Sequence, residues 1–311
     1  MNIVILEAYH SNPGDLSWDS ITRLGNVTIH ERTSQDQIIS RCVDADIIVT
    51  NKLKVTREVM DQLPKLKLIH QLATGTDNID KVAASEKGIT VRNAVGYSTH
   101  AVSQHTFALI LELFNHVGIH DRETKGQGWT KSGDWCHMIA TPRQLYGKTL
   151  GIIGFGKIGQ AVANIGLAFG MTVVVYSNHA SQNQYPSINL VDLKELAELS
   201  DVVTIHAPLT ADNKNIIDKS FLARMKPSSI LINTARGGHI VESDLYDALK
   251  SGAIRGAGLD VMDHEPPESD NPLLQLDNCI VTSHMAWTAY ESRKALIEIV
   301  AKGISDFIQG T

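Results

Sequence analysis

Short apolar runs rich in β-branched residues alternate along the chain with helix-length amphipathic segments, and the alternation occurs in two series. Such a pattern belongs to parallel strands covered by helices. The first series predicts strands at Ile3 to Leu6, Asp46 to Thr50, Leu66 to Gln71 and Thr90 to Asn93, with helical stretches such as Val55 to Leu63 between them. The second predicts strands at Thr149 to Gly154, Thr172 to Tyr176, Asp201 to His206, Ser229 to Asn233, Gly256 to Asp260 and Cys279 to Ser283. Between the series, Ser98 to His120 is apolar enough for one helix buried on most of its surface. After the last strand, Ala289 to Ile308 again has helical period.

The expected class is α/β, with two doubly wound parallel-sheet domains, a flavodoxin-like half and a Rossmann-like half. At 311 residues, two cores are the natural outcome. The closing helix is expected to return to the first domain. That makes residues 1–100 with 288–311 one discontinuous domain and residues 101–287 the other.

Composition narrows the function classes. The chain is 43% hydrophobic and 20% charged with a formal charge of −6, its acidic and basic residues mixed along its length. No basic patch offers itself to nucleic acid and no polybasic segment to a membrane. Apolar runs stop well short of the roughly 18 residues a membrane span needs, and Met1 to Glu7 lacks the layout of a secretory signal. Cys42, Cys136 and Cys279 are scattered and never form a C-x-x-C pair, so neither a disulfide framework nor a zinc site is expected. These features predict a cytoplasmic protein acting on small molecules.

Gly154-Phe155-Gly156-Lys157-Ile158-Gly159 is a dinucleotide turn by its context. A strand precedes it and the helical stretch from Ile158 to Phe169 follows, the setting the motif requires. Gly154 permits the tight turn, Gly156 the approach of pyrophosphate and Gly159 the contact between helix and strand, with the anion at the helix start. The next strand ends Tyr176-Ser177-Asn178-His179, where a carboxylate normally binds the adenosine ribose. Without that acid a 2′-phosphate is not repelled, yet no arginine clamps it. NAD and NADP both remain open as the carrier.

Reducing a 2-oxo acid requires a hydride, a proton for the developing alkoxide and a cation for the carboxylate. Arg236 follows the Ser229 to Asn233 strand and so projects at the carboxyl end of the sheet, where ligands of open α/β folds bind. Its planar fork suits a carboxylate. His284, at another strand end, is the natural proton donor, and Glu265 is expected to bond to its other ring nitrogen. A carboxylate beside an imidazole favours the protonated form.

Over nearly its whole length the chain resembles the D-isomer-specific 2-hydroxyacid dehydrogenases. The resemblance rests on Gly154 to Gly159, His206-Ala207-Pro208-Leu209-Thr210, Met225-Lys226-Pro227, Leu231 to Gly238, Gly256 to Val261, Glu265-Pro266-Pro267 and His284 to Trp287. It implies two domains with a cleft between them and the arginine, glutamate and histidine as substrate anchor, histidine partner and proton donor. It further implies cofactor contacts from Lys157, Ile158, Ser177, Asn178, His206, Ala207, Pro208, Thr234, Ala235 and Asp260, contact of Thr106 with the nicotinamide, and a homodimer joined through the cofactor domains. Asn12 to Trp18, Thr50-Asn51-Lys52, Leu72 to Gly75 and Gly96 to Thr99 are similar to bacterial glycerate dehydrogenases, also called hydroxypyruvate reductases. Relatives of that kind hold the substrate carboxylate on backbone amides matching Ala73-Thr74-Gly75, and successive amides suit an anion. Ser177 departs from most relatives, which carry an acid there.

Lys52 is a second candidate for the carboxylate, with plain surface solvation as its alternative. Trp129 and Trp135, beside Cys136 and His137, read as interface packing or as a cover for a neighbouring subunit's site. His70, His100, His105 and His116 have no metal-ligand pattern, and Asn26-Val27-Thr28 matches a glycosylation acceptor without meaning in an unsecreted protein. Gly166 and Gly170 suggest tight helix packing. The expected activity is interconversion of hydroxypyruvate and D-glycerate, with glyoxylate also accepted. A bulkier 2-oxo acid on the same scaffold, or a cofactor-sensing regulator, are the alternatives.

Overall fold

The computed structural model describes residues 1–178 and 186–310. His179 lies outside the described residues. The chain divides into two compact units, Met1–Ser98 with Trp287–Thr311, and Thr99–Ala286.

The first unit holds a five-stranded sheet built from β1 (Asn2–Ile5), β2 (Asn26–Ile29), β3 (Ile47–Thr50), β4 (Leu68–Gln71) and β5 (Thr90–Arg92) in the order β2-β1-β3-β4-β5. Every pairing is parallel. Alternate residues leave opposite faces of a strand, and here both faces are apolar. Val4, Ile48 and Ile69 enter one core cluster; Ile3, Ile5, Ile47, Val49 and Leu68 enter the other. The helix Tyr290–Gln309 closes that second face with Leu296, Ile297, Val300, Ala301 and Ile304, residues three and four apart on one stripe. Burying each large aliphatic side chain contributes about 1.5–3 kcal/mol.

The second unit holds a seven-stranded sheet of β6 (Thr149–Ile153), β7 (Thr172–Tyr176), β8 (Asn189–Leu190), β9 (Val202–Ile205), β10 (Ile230–Asn233), β11 (Gly256–Leu259) and β12 (Cys279–Val281). Its order is β12-β11-β10-β9-β6-β7-β8. All these pairs are parallel too, so every carboxyl end emerges on one edge. The order reverses direction between β6 and β9, the switch point at which ligands of doubly wound folds bind. Both halves are thus the α/β sheets that the apolar runs predict.

Three local readings are corrected. The segment Ser98 to His120 is not one helix. It runs Thr99–Asn115, breaks where His116 takes φ 56, and resumes as Val117–Lys125. Strand β2, which coincides with the glycosylation-like Asn26-Val27-Thr28, has no residue fully buried and escapes a search for apolar runs. β8 escapes for the same reason and for its length of two residues. Among the described residues no helix is long and apolar enough to cross a membrane, and no group of three or more His, Cys, Asp or Glu could hold a metal ion.

Candidate active site

The glycine turn leaves β6 at the switch point. Gly154 has φ 90, and a Cβ there would sit 2.6 Å from the Ala207 nitrogen. Gly159 lies in the first turn of the helix Lys157–Ala168, where a Cβ would approach the Gly154 carbonyl oxygen to 2.3 Å. Gly156 caps that helix with ordinary extended angles, φ −74 and ψ −167, and a Cβ on it would meet nothing within 4 Å. Two of the glycines are therefore required by close backbone approach, whereas the third leaves space at a helix start. Space beside amide N–H groups at the positive end of a helix dipole fits a pyrophosphate. Lys157 and Ile158 form the first turn beside it. Ser177 follows β7 and is half-buried, and Asn178 is exposed.

Neighbouring strands supply the remaining groups. His206 follows β9, Thr234 to Arg236 follow β10, Asp260 to Glu265 follow β11, and Thr282 to His284 follow β12. Since these strands are adjacent and parallel, residues far apart in sequence reach one edge together. His284 Nδ1 lies 2.7 Å from Glu265 Oε2, and Glu265 Oε1 accepts from the Met262 amide at 3.2 Å. The carboxylate is thereby held while it fixes the imidazole. With Nδ1 donating to Glu265, Nε2 is the nitrogen that can face a substrate oxygen.

His284 has φ 54, in the left-handed region. Its amide donates to the carbonyls of Asp260 at 2.8 Å and Thr282 at 3.1 Å. The Asp260 carboxylate, 1% exposed, accepts from Thr282 Oγ1 at 2.6 Å, the Met285 amide at 2.9 Å and the Ala286 amide at 2.8 Å. Asp260 thus anchors the loop that presents the histidine. Behind it, His105 Nε2 is 3.0 Å from Thr282 Oγ1 and 3.5 Å from Asp260 Oδ1.

The Arg236 turn is held by the buried Asn233 carboxamide. Its oxygen accepts from the Ala235 amide at 3.0 Å, and its nitrogen donates to the Arg236 carbonyl at 2.8 Å. Arg236 Nη1 donates to the Ala235 carbonyl at 2.8 Å. Thr106 is fully buried with its hydroxyl between the Val102 carbonyl at 2.8 Å and Thr234 Oγ1 at 3.2 Å, so it acts on its surroundings through Thr234. His206 Nε2 meets Thr204 Oγ1 at 2.9 Å, and enclosure of the ring pushes its pKa down to about 3. That imidazole is neutral, and its Nε2 is taken up by Thr204.

In the first unit, Lys52 follows β3 and Ala73 to Gly75 follow β4, again on one carboxyl edge. Lys52 is exposed. Thr74 Oγ1 donates to the Ala94 carbonyl at 2.9 Å, and Asn93 Nδ2 donates to the Thr74 carbonyl at 2.6 Å, which fixes the loop. Among the described residues the Thr74 and Gly75 amides have no acceptor. A residue the motifs do not mark is Glu7. It is 4% exposed, and its carboxylate accepts from Thr50 Oγ1 at 2.8 Å and from the amides of Asn51 at 2.7 Å, Lys52 at 3.0 Å and Leu53 at 3.3 Å. A carboxylate directly after an apolar strand is the one sequence signal that could have found it.

Comparison with known proteins agrees with this layout. The sequence profile of the D-isomer specific 2-hydroxyacid dehydrogenase NAD binding domain matches residues 107–286. The chain is similar to the hydroxypyruvate reductase of Blautia hydrogenotrophica, 42% identical over 100% of this chain and 98% of that protein. Among solved structures it is similar to the D-lactate dehydrogenase of Aquifex aeolicus in complex with NAD and lactic acid, with a TM-score of 0.87, 30% identity and coverage of 100% and 96%. It is equally similar to an acyclic imino acid reductase in complex with NADPH and D-Arg, with a TM-score of 0.87, 31% identity and coverage of 100% and 98%. By sequence over its full length and by the fold of both units, the chain belongs to the D-isomer specific 2-hydroxyacid dehydrogenases, nicotinamide-linked oxidoreductases of 2-hydroxy acids.

Proposed function

We propose that the protein interconverts hydroxypyruvate and D-glycerate, accepts glyoxylate as well, and uses Arg236, Glu265 and His284 to do so. The observation that carries the reading is the 2.7 Å bond between His284 Nδ1, after β12, and Glu265 Oε2, after β11, on the same sheet edge as Arg236 after β10. Substrate identity rests on the likeness to a hydroxypyruvate reductase. The Gly154-to-Gly159 turn would hold the pyrophosphate, with His206 to Pro208, Thr234, Ala235 and Asp260 along the same edge. When bound, the reduced carrier supplies the hydride.

The chain's own residues do the rest. Arg236 pairs with the substrate carboxylate in a bidentate pose, assisted by the amides of Ala73 to Gly75 and by Lys52. This fixes which face of the carbonyl is attacked. His284 Nε2 gives its proton to the carbonyl oxygen, so an N–H bond breaks as the O–H bond forms, while Glu265 steadies the imidazole. In the oxidative direction the same nitrogen takes the proton back.

Ser177 and Asn178 provide hydrogen bonds without a carboxylate, so the site accepts both NADH and NADPH. The NADPH-bound relative is consistent with that. Residues 1–100 with 288–311 would serve as the substrate-binding domain and residues 101–287 as the carrier-binding domain. Assembly as a homodimer is supported by large apolar side chains exposed along one stretch, with Trp129 45%, Trp135 91% and Met138 61% exposed. The free thiols suit the reducing cytoplasm.

Steady-state rates with hydroxypyruvate, glyoxylate, pyruvate and a branched 2-oxo acid, each with both reduced carriers, test the assignment. Hydroxypyruvate should give the highest kcat/KM, and a higher value for the branched acid would replace it. His284→Gln should lower kcat roughly 10²–10⁴-fold with little change in carrier KM. An unchanged kcat would remove His284 from the chemistry.

A further inference from the structure

His239 is completely buried two residues beyond the glycine that follows Arg236, and the chemistry above does not use it. Its Nδ1 lies 3.0 Å from the Arg236 carbonyl oxygen. Its Nε2 is buried and has no hydrogen-bond partner among the described residues. The Pro208 carbonyl also interacts with the ring, without completing a bond to Nε2. Burial pushes the pKa of the ring down, and the Arg236 guanidinium adds to that effect against the two carbonyls.

A neutral imidazole has one N–H, and a carbonyl oxygen can only accept. The proton therefore sits on Nδ1 and is donated to Arg236. Nε2 is left as a lone pair without a donor among the described residues, a penalty that an apolar side chain of similar size would avoid. The Arg236 carbonyl thus accepts from the ring at 3.0 Å as well as from Asn233 Nδ2 at 2.8 Å and the His239 amide at 3.3 Å, so side chains grip it from two directions.

The ring also stands between two segments of the site. On one side is the turn from Arg236 to His239. On the other is His206 to Leu209, whose last side chain would touch a Cβ on Gly238 at 2.9 Å. The strip that follows is tied to the same turn, since the Asn215 amide donates to the Gly238 carbonyl and the Ile217 amide to the His239 carbonyl, both at 2.9 Å.

We propose that His239 is a positioning residue that locks the Arg236 turn against the His206–Pro208 segment, coupling the seat of the nicotinamide carrier to the aim of the guanidinium at the substrate carboxylate. The inference rests on the reading of Arg236 as the carboxylate anchor, and the test separates the two.

Variants His239→Leu, His239→Asn and Arg236→Lys, with the double variant His239→Leu/Arg236→Lys, are assayed with hydroxypyruvate and NADH. His239→Leu should raise the KM for hydroxypyruvate about tenfold, the loss of one hydrogen bond of roughly 1.4 kcal/mol, with kcat within about twofold of the native value. His239→Asn carries an amide N–H near the Nδ1 position and should restore KM to within about twofold. In the Arg236→Lys background, His239→Leu should add nothing, because its effect passes through the guanidinium. Equal KM values for the Leu and Asn variants, or additive effects in the double variant, would reduce His239 to core packing and overturn the proposal. Should Arg236→Lys raise KM while His239→Leu does not, the His239 inference alone falls. Should Arg236→Lys leave KM unchanged, the anchor reading falls and takes this inference with it.

Discussion

His284 holds a left-handed backbone conformation that few residues other than glycine adopt, and the Asp260 carboxylate keeps it there by holding the two amides that follow. Asp260 accepts from one hydroxyl and two amides, a role that needs acceptors on both oxygens. Asparagine offers one oxygen and would turn an N–H toward a donor. Asp260→Asn should therefore cost about 1–3 kcal/mol of stability and lower kcat as His284 loses its aim, measured by urea unfolding and steady-state rates. Unchanged values in both would show that the loop holds itself. The residues of the site were unequally legible in the sequence. Arg236, Glu265 and His284 stand in recognisable strand-end stretches. Asn233 lies in the same stretch as the arginine it supports, but His105 with Thr282 and Glu7 with the Thr50–Leu53 loop do not show in the sequence, because they become partners only once distant segments lie side by side. His239 carried no signal at all, since nothing in its neighbours says that it is buried.

At the scale of elements, the turn and helix after β6 separate what glycine does for packing from what it does for binding. A methyl on Gly159 would press into the Gly154 carbonyl, whereas one on Gly156 would enter open space from an ordinary backbone conformation. Gly159→Ala should thus cost about 1–3 kcal/mol by forcing the helix off the strand. Gly156→Val should leave the unfolding midpoint alone and raise the KM for NADH roughly tenfold or more, by filling the space beside the helix start. Thermal unfolding together with NADH titration of both variants checks this, and a destabilised Gly156→Val that still binds NADH normally would refute the division. Legibility of elements follows burial in the same way. Strands with both faces covered, such as β3 and β10, advertise themselves as apolar runs. The edge strands β2 and β8 do not, and the break at His116 is a backbone event that apolar periodicity cannot register.

For the molecule as a whole, the ionisable groups that folding removes from water decide how it responds to acid. His70, 1% exposed on β4, lies against Gly303 of the closing helix, where even a Cβ would come within 2.3 Å of its Nε2. Burial, with some repulsion from Arg92, pushes its pKa down to about 4 from the ordinary 6.5. His206 and His239 are shifted in the same direction, also by burial. The sign follows from proton counting. Between pH 6.5 and about 4 the unfolded chain binds a proton at this histidine and the folded chain does not, so stability falls as pH falls through that window. His70 alone then removes roughly 3 kcal/mol across it, at about 1.4 kcal/mol per pH unit. His70→Leu should abolish that part of the slope. The difference in unfolding free energy between native protein and variant, followed in urea by hydrogen exchange of the β3 and β4 amides, should shift by that amount between pH 7 and pH 4 in favour of the variant. Parallel profiles would mean that His70 is protonated alike in both states and that the acid response of this unit originates elsewhere.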